Sequence, residues 1–444
     1  MESRRGSHDL SVVLHHKAPA RAIPKKSVPI GRSLIPARKG IQAQSAGNIL
    51  FVHYAKAHLK KFLRVLNFVK NTRNLKTIQE QFKYNHAAVC ERIRRNEVVM
   101  STHPASIQDV TQLEDLLSEP TEGAVRTLGS LDGDLVILGV AGKMGPTLAR
   151  MAKRASEAAG VKRRVIGVSR FSSPVLENQL QSRGVETVRC DLLDVASLAK
   201  LPDAANVVFM AGMKFGSTGQ EWLTWAINSF LPGLVADRYR DARIAVFSTG
   251  NVYGLSSVAQ GGSREEDALH PSGEYAMSCV GRERIFEHFS RANKTKMTIL
   301  RLNYASELRY GVLLDIAQRV NAGQPVSLSM GYLNTIWQAD ASAMSLQSLR
   351  CASSPPNVIN VTGPELLNVR GVAEEFGKKL GKPVRFEGAE SSDALLSNAA
   401  KSYELFGRPR VNAQQIIAWI ADWVRRGKTT LAKPTHFEDR AGHF

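Results

Sequence analysis

From Asp134 onward the chain alternates short β-branched runs with stretches long enough for helices, and no other feature limits its fold as tightly. The runs occupy residues 135–138, 165–168, 185–188, 207–210, 244–247 and 297–300, with helix-length stretches such as 146–159, 221–238 and 274–291 between them. Such alternation predicts βαβ units: a parallel sheet with helices on both faces. Beyond residue 301 the pattern is mixed. It includes a helical period over 369–380 and an apolar stripe of Ile416, Ile417, Ile420, Trp423 and Val424 on a final helix. The expected class is α/β: a Rossmann-type doubly wound parallel sheet with a smaller C-terminal region.

Gly139, Gly142 and Gly145 follow the first apolar run and open the first helix, with Lys143 and Met144 inside the turn. Three glycines there permit a tight turn and close backbone approach. The free N–H groups of the helix N-terminus then point at a pyrophosphate. A strand before and a helix after make dinucleotide binding the expectation for this turn.

The G-x-x-G-x-x-G spacing resembles that of the short-chain dehydrogenase/reductase superfamily. Chain length and the C-terminal region resemble its extended branch of NAD-dependent sugar-nucleotide epimerases and dehydratases. The resemblance runs from about residue 133 to 427. It implies that Asp191, with Leu192 beside it, contacts the adenine after the third strand. It implies a cofactor-contacting segment at Ala211, Gly212 and Lys214, supported by Asn228 in the next helix. Phe247–Gly254 resembles the family's fifth-strand motif and puts Thr249 at its catalytic Ser/Thr position. The stretch from Ala400-Lys401 to Gly407-Arg408-Pro409 resembles the family's tail motif.

An acidic residue after the second strand would bind the ribose 2′-OH of NAD. Ser169 and Arg170 stand there instead. With Lys143 in the glycine turn they favour a 2′-phosphate, so NADP is preferred over NAD, and NAD stays open.

The family's Tyr-x-x-x-Lys pair supplies the acid/base, the lysine acidifying the tyrosine. Here Tyr275 is followed four residues later by Cys279. Each unit of tyrosine acidification corresponds to about 1.4 kcal/mol, so a neutral thiol removes a large effect. Positions 275, 279 and 282 share a helix face, and helical side chains lean toward the N-terminus. Arg282 is therefore a candidate substitute, against the plainer reading of a surface charge near Glu283 and Glu287. Lys214 is a second candidate. Gly250 and Asn251 stand where the 4,6-dehydratases carry Asp-Glu, which disfavours that elimination. Leu333, seven residues before Asp340, stands where epimerases place an arginine for the substrate diphosphate. Arg309, Arg370 and Arg408 are candidates to compensate.

The formal charge of +19 over 444 residues is uneven: residues 1–100 carry +15 and the remaining 344 only +4. This excludes a uniformly basic nucleic-acid-binding domain, and no nucleic-acid partner is expected. Residues 1–47 read as low-order. Residues 53–70 place Leu59, Phe62, Leu63, Leu66 and Val69 at helical spacing among Lys56, Lys60, Lys61 and Arg64. A basic amphipathic helix, part of a transit peptide and a translation start at Met100 all remain open for this extension. Cys90, Cys190, Cys279 and Cys351 lack ligand-like spacing, so neither a metal nor a disulfide framework is expected. No apolar run reaches the roughly 18 residues of a membrane span.

The expected divisions are a basic extension (1–99), a linker with a short helix (100–132), the NAD(P)-binding domain (133–302), a mixed substrate-binding region (303–432) and a tail (433–444). The expected setting is cytoplasmic. The expected partners are a carbohydrate-like small molecule and a second copy of the chain. The functional expectation is an NAD(P)-dependent epimerase or reductase acting on a sugar, sugar nucleotide or related hydroxyl/carbonyl compound. The alternative is a catalytically impaired dinucleotide-binding sensor of the same fold.

Overall fold

The computed structural model describes residues 103–443, so the expectations for residues 1–99 lie outside the described part. Seven parallel strands form one sheet: β1 (Leu135–Leu138), β2 (Val165–Ser169), β3 (Glu186–Arg189), β4 (Asn206–Phe209), β5 (Arg243–Thr249), β6 (Met297–Leu302) and β7 (Asn357–Val361). Their order is β3-β2-β1-β4-β5-β6-β7, every neighbour parallel. The order reverses between β1 and β4, and ligands of such sheets bind beyond the carboxyl ends of the strands at that reversal.

The strands read as continuous apolar runs because both faces are covered. Leu135 and Ile137 enter one core while Val136 and Leu138 enter the other, all four fully buried. The helices that flank the site are α1 (Gly145–Ala158), α2 (Leu231–Arg238), α3 (Gly273–Asn293) and α4 (Val312–Asn321).

Three features depart from the sequence expectations. The stretch 100–132 is no linker: it holds helices Val110–Leu117 and Glu122–Ser130, whose Leu113, Leu117 and Leu128 are fully buried. The stretch 303–432 is not separate from the sheet, because β7 comes from it and pairs with β6. The tail 433–444 packs on the body through buried Thr435 and Phe437 and the Arg440–Asp393 ion pair at 2.6 Å. Among the described residues no helix is long and apolar enough to cross a membrane.

Candidate active site

The glycine turn is as tight as its sequence requires. A Cβ on Gly139 would come within 2.7 Å of the Ala211 backbone nitrogen, and one on Gly145 within 2.1 Å of the Val140 carbonyl oxygen. Gly139 also adopts φ +87°, open to glycine at little cost. Gly142, Lys143 and Met144 then line a cleft of about 800 Å³ at the end of β1, and the first turn of α1 offers its unbonded N–H groups there. This cradle fits a dinucleotide pyrophosphate. Gly212, at the end of β4, keeps the facing wall low, since a Cβ there would meet the Arg282 guanidinium at 2.7 Å.

Ser169 ends β2 half-buried and Arg170 follows it exposed. Asp191 is exposed beyond β3 and accepts the Leu193 N–H at 3.1 Å; Leu192 is buried. Lys143 departs from its expected place. Its ammonium lies 3.8 Å from the Phe215 ring centre and 3.5 Å from that of Tyr310, toward the Tyr275 end of the cleft. Arg170 is thus the cation left at the end of β2.

Asn228 is fully buried in a π-helical turn, Ala226–Phe230, within the long helical stretch 221–238. Its side chain accepts the Met213 N–H at 2.9 Å and donates to the Met213 carbonyl at 2.9 Å and the Ser278 hydroxyl at 3.0 Å. It pins the segment leading to Lys214, whose ammonium lies 5.6 Å from the Tyr275 ring centre.

Thr249 closes β5 and caps the 3₁₀ turn Gly250–Tyr253. It accepts the Asn251 N–H at 3.2 Å and donates to Asn251 Oδ1 at 3.0 Å. Tyr275, on the first turn of α3, hydrogen-bonds both Thr249 and the Cys279 thiol. Burial pushes the Tyr275 phenol well above its ordinary value, and Cys279 adds to that rise; Arg282 and Thr249 oppose it. Burial likewise raises the Cys279 thiol, so it stands as a neutral group beside the phenol.

Arg282 is not a surface charge. It is 5% exposed and turned under the site, donating to the Phe247 carbonyl at 2.7 Å and to Asn228 Oδ1 at 2.6 Å. Glu283 instead pairs with Arg301 at 2.7 Å and accepts from Ser248 at 2.6 Å, while Glu287 faces Arg284 and Arg291. Arg301 continues the network to the Tyr253 hydroxyl at 2.7 Å, locking the turn that carries Thr249.

Of the arginines weighed for a substrate diphosphate, Arg309 lines the cleft and pairs with Glu307 and Glu114. Arg370 pairs with Glu390, and Arg408 lies near Tyr403. Leu333 is fully buried in a two-residue strand, and Asp340 binds Arg410 and the Val411 N–H. Residues without a sequence signal complete the wall: Phe215, Asn303, Tyr310, Lys433 and Thr435. Phe215, next to Lys214, was the one a local reading could have reached. Among the described residues no cluster of His, Cys, Asp or Glu could hold a metal ion.

Residues 135–329 match the model of the NAD dependent epimerase/dehydratase family. That stretch is somewhat under half of the chain. It carries β1 to β6, the glycine turn, Thr249 and Tyr275. Solved epimerase/dehydratase-type structures share the fold. MoeE5 in complex with UDP-glucose and NAD superposes with a TM-score of 0.54 at 18% identity, over 66% of this chain and 99% of that one. The UDP-glucose 4-epimerase of Thermotoga maritima, solved with UDP-glucose, gives 0.55 at 18% identity over 66% and 99%. The dTDP-glucose 4,6-dehydratase of Bacillus anthracis, solved with NAD, gives 0.57 at 15% over 66% and 97%. No curated protein matches the chain.

Proposed function

We propose that the chain is an NAD(P)-dependent epimerase or reductase acting on a sugar, sugar nucleotide or related hydroxyl/carbonyl compound. The observation that carries this reading is the contact of Tyr275 with Thr249 at the carboxyl end of β5, inside the cleft the glycine turn opens. The nicotinamide would supply the hydride acceptor and donor. Gly139, Gly142, Gly145, Met144, Asp191, Leu192, Ala211 and Gly212 would hold the dinucleotide, and Arg170 with Ser169 would favour NADP.

Tyr275 takes the proton from the reacting hydroxyl and returns it on the reverse step. Thr249 hydrogen-bonds the same oxygen and fixes its distance from the phenol. Arg282 acts in place of the missing lysine: its positive charge favours the phenolate from below, whereas Cys279 gives none. A guanidinium does not itself give up a proton at neutral pH, so Arg282 serves as a positioning charge and the proton leaves through Tyr275. Gly250 and Asn251 after Thr249 leave out the carboxyl pair of the 4,6-dehydratases, which favours epimerisation or reduction.

The second reading, a dinucleotide-binding sensor without turnover, is favoured by Cys279 and by the strong upward push of burial on Tyr275. Nicotinamide absorbance, followed with the purified chain and a panel of sugar nucleotides and free sugars, separates the two. Turnover lost in Tyr275→Phe with dinucleotide affinity kept is the expected result. Tight dinucleotide binding without turnover on any member would favour the sensor.

A further inference from the structure

The C-terminal segment runs beside the cleft from the start of α4 to the start of α3, and its Leu431, Lys433 and Thr435 line the cleft. The Leu431 N–H donates to the Arg309 carbonyl at 2.9 Å, and Thr435 donates its N–H and hydroxyl to Asp315 on α4 at 2.7 and 2.5 Å. Glu438 pairs with Arg319 at 2.6 Å. Arg440 donates to the Ser329 carbonyl at 3.0 Å and to the Asp393 carboxylate at 2.6 Å. The segment ends against Ser272 and Gly273, just ahead of Tyr275. A Cβ on Gly273 would strike the Gly442 carbonyl oxygen, and one on Gly442 the Ser272 carbonyl oxygen. Buried Phe437 anchors the stretch in the core. Ala432 (φ +50°) and His436 (φ +51°) lie in the left-handed region, where a side chain persists only if surrounding contacts impose it. The segment is therefore a fixed wall.

Side chains from separate parts of the chain meet where this wall faces the glycine turn. Lys143 places its ammonium 3.5 Å from the Tyr310 ring centre and 3.8 Å from that of Phe215. The Phe215 ring meets Tyr310 edge-on at 6.4 Å, and His436 of the segment lies 6.5 Å from it. A cation between two ring faces holds such a junction without an anion. The cluster stands close to the reacting end, because the Lys214 ammonium is 5.6 Å from both the Phe215 and the Tyr275 ring centres.

The same wall leaves little for a long anionic ligand. Arg183 is committed to Glu114, Arg309 to Glu114 and Glu307, and Arg282 to the Phe247 carbonyl and Asn228. These are the arginines that line the cleft, so no guanidinium there is left to fork a diphosphate. A cleft of about 800 Å³ is in the range that one small-molecule ligand uses, roughly 300–1,000 Å³. The dinucleotide would take most of it.

We propose that the C-terminal segment 431–443, with Lys143, Phe215 and Tyr310, roofs the reacting end of the cleft and restricts its substrate to a small, free hydroxyl or carbonyl compound of monosaccharide size, without a nucleotide arm. A roof of this kind also keeps water from the transferred hydride. The inference rests on the proposed reaction only in calling the ligand a substrate; the roof itself does not depend on turnover.

The test uses the full chain saturated with reduced dinucleotide, whose nicotinamide fluorescence reports its surroundings. Acrylamide is the quencher and UDP-glucose the nucleotide-linked probe. Arg440→Ala frees the segment from Ser329 and Asp393, and His436→Ala opens the ring cluster; His436 is exposed and Arg440 partly so, and both variants should keep the fold. Each is expected to raise the quenching constant of the bound nicotinamide about threefold over wild type, with dinucleotide affinity held within about twofold. UDP-glucose at about 1 mM should leave the wild-type fluorescence unchanged, and turnover on the sugar panel should fall on free sugars alone. Equal quenching in wild type and both variants would overturn the roof. UDP-glucose binding to the loaded wild type, or being turned over by it, would overturn the restriction. Increased quenching in the variants and no UDP-glucose binding, but turnover on no member of the panel, would leave the roof standing and remove the proposed reaction instead.

Discussion

The Arg282 guanidinium and the Asn228 amide oxygen stand 2.6 Å apart beneath the candidate site, with the Phe247 carbonyl 2.7 Å from the other Arg282 nitrogen. One buried arginine thus ties together the π-helical turn, the end of β5 and the helix that carries Tyr275. Its charge, two turns along α3, acts on a phenol that has only the Cys279 thiol one turn away.

Arg282→Ala should therefore lower kcat far more than Cys279→Ala does. A positive charge near a phenol favours the phenolate, so its loss raises the Tyr275 pKa and moves the rising limb of the rate profile to higher pH. Arg282→Lys should keep that limb close to its original pH. The alanine variant also leaves buried acceptors without a donor and should cost about 2–4 kcal/mol of stability in urea denaturation. An unmoved pH limb in Arg282→Ala would refute the electrostatic role whatever happens to stability.

Cofactor choice is the next consequence. Arg170, exposed after the half-buried Ser169 at the end of β2, is free of the role taken by Lys143 at the other end of the cleft. Arg170→Ala should raise the NADP dissociation constant about tenfold, the worth of one charge-assisted contact, and leave that of NAD unchanged. Fluorescence titration with both dinucleotides checks it, and a constant ratio between them would exclude a 2′-phosphate contact.

How much of this was legible in the chain depends on whether the signal is local. The run Leu135–Leu138 is a strand with the bounds its residues suggest, because four apolar side chains buried on both faces leave little room for another register. The strand expected at 185–188 falls one residue later. β7 was not legible: Asn357 and Asn360 interrupt its apolar pattern. Asn360 is there for its side chain, which accepts from the Tyr253 hydroxyl at 2.7 Å and donates to two loop carbonyls. Arg282 was legible as a candidate from helical spacing, but its burial depends on Asn228 and Phe247, brought in from other elements. Lys433 gave no sign at all. Its neighbour Lys143 lies 290 residues away in sequence, and only the fixed C-terminal segment unites them.

The same lysines make stability respond to alkali. Lys143 is held near 7 and Lys214 near 8 in the folded chain, both by burial first, against roughly 10.4 for an unfolded lysine. Between those values the unfolded chain binds more protons, so folding gains stability as pH rises from about 7 toward 10. The groups acting on Lys143 are Lys433 and Lys214, which lower it further, and Asp315, which raises it. The difference in Tm between pH 9 and pH 7 should be smaller in Lys143→Met than in wild type. An equal difference in both would show that Lys143 titrates as an ordinary surface lysine.

Assembly gives the last prediction. Trp222 and Phe230, 72% and 59% exposed, lie on the helical stretch 221–238, and Met277 on α3 is also exposed. Water gains nothing from three apolar side chains left open on adjoining helices, and a second copy of the chain would cover them with the same surface on both partners. The Asn228 and Ser229 contacts to Ser278 hold these helices together as one rigid face. Trp222→Asp combined with Phe230→Asp should convert a dimer to a monomer in sedimentation velocity. Tm measured at low protein concentration should change little, because neither side chain supports the core. A wild-type chain that sediments as a monomer at micromolar concentration would rule out this interface.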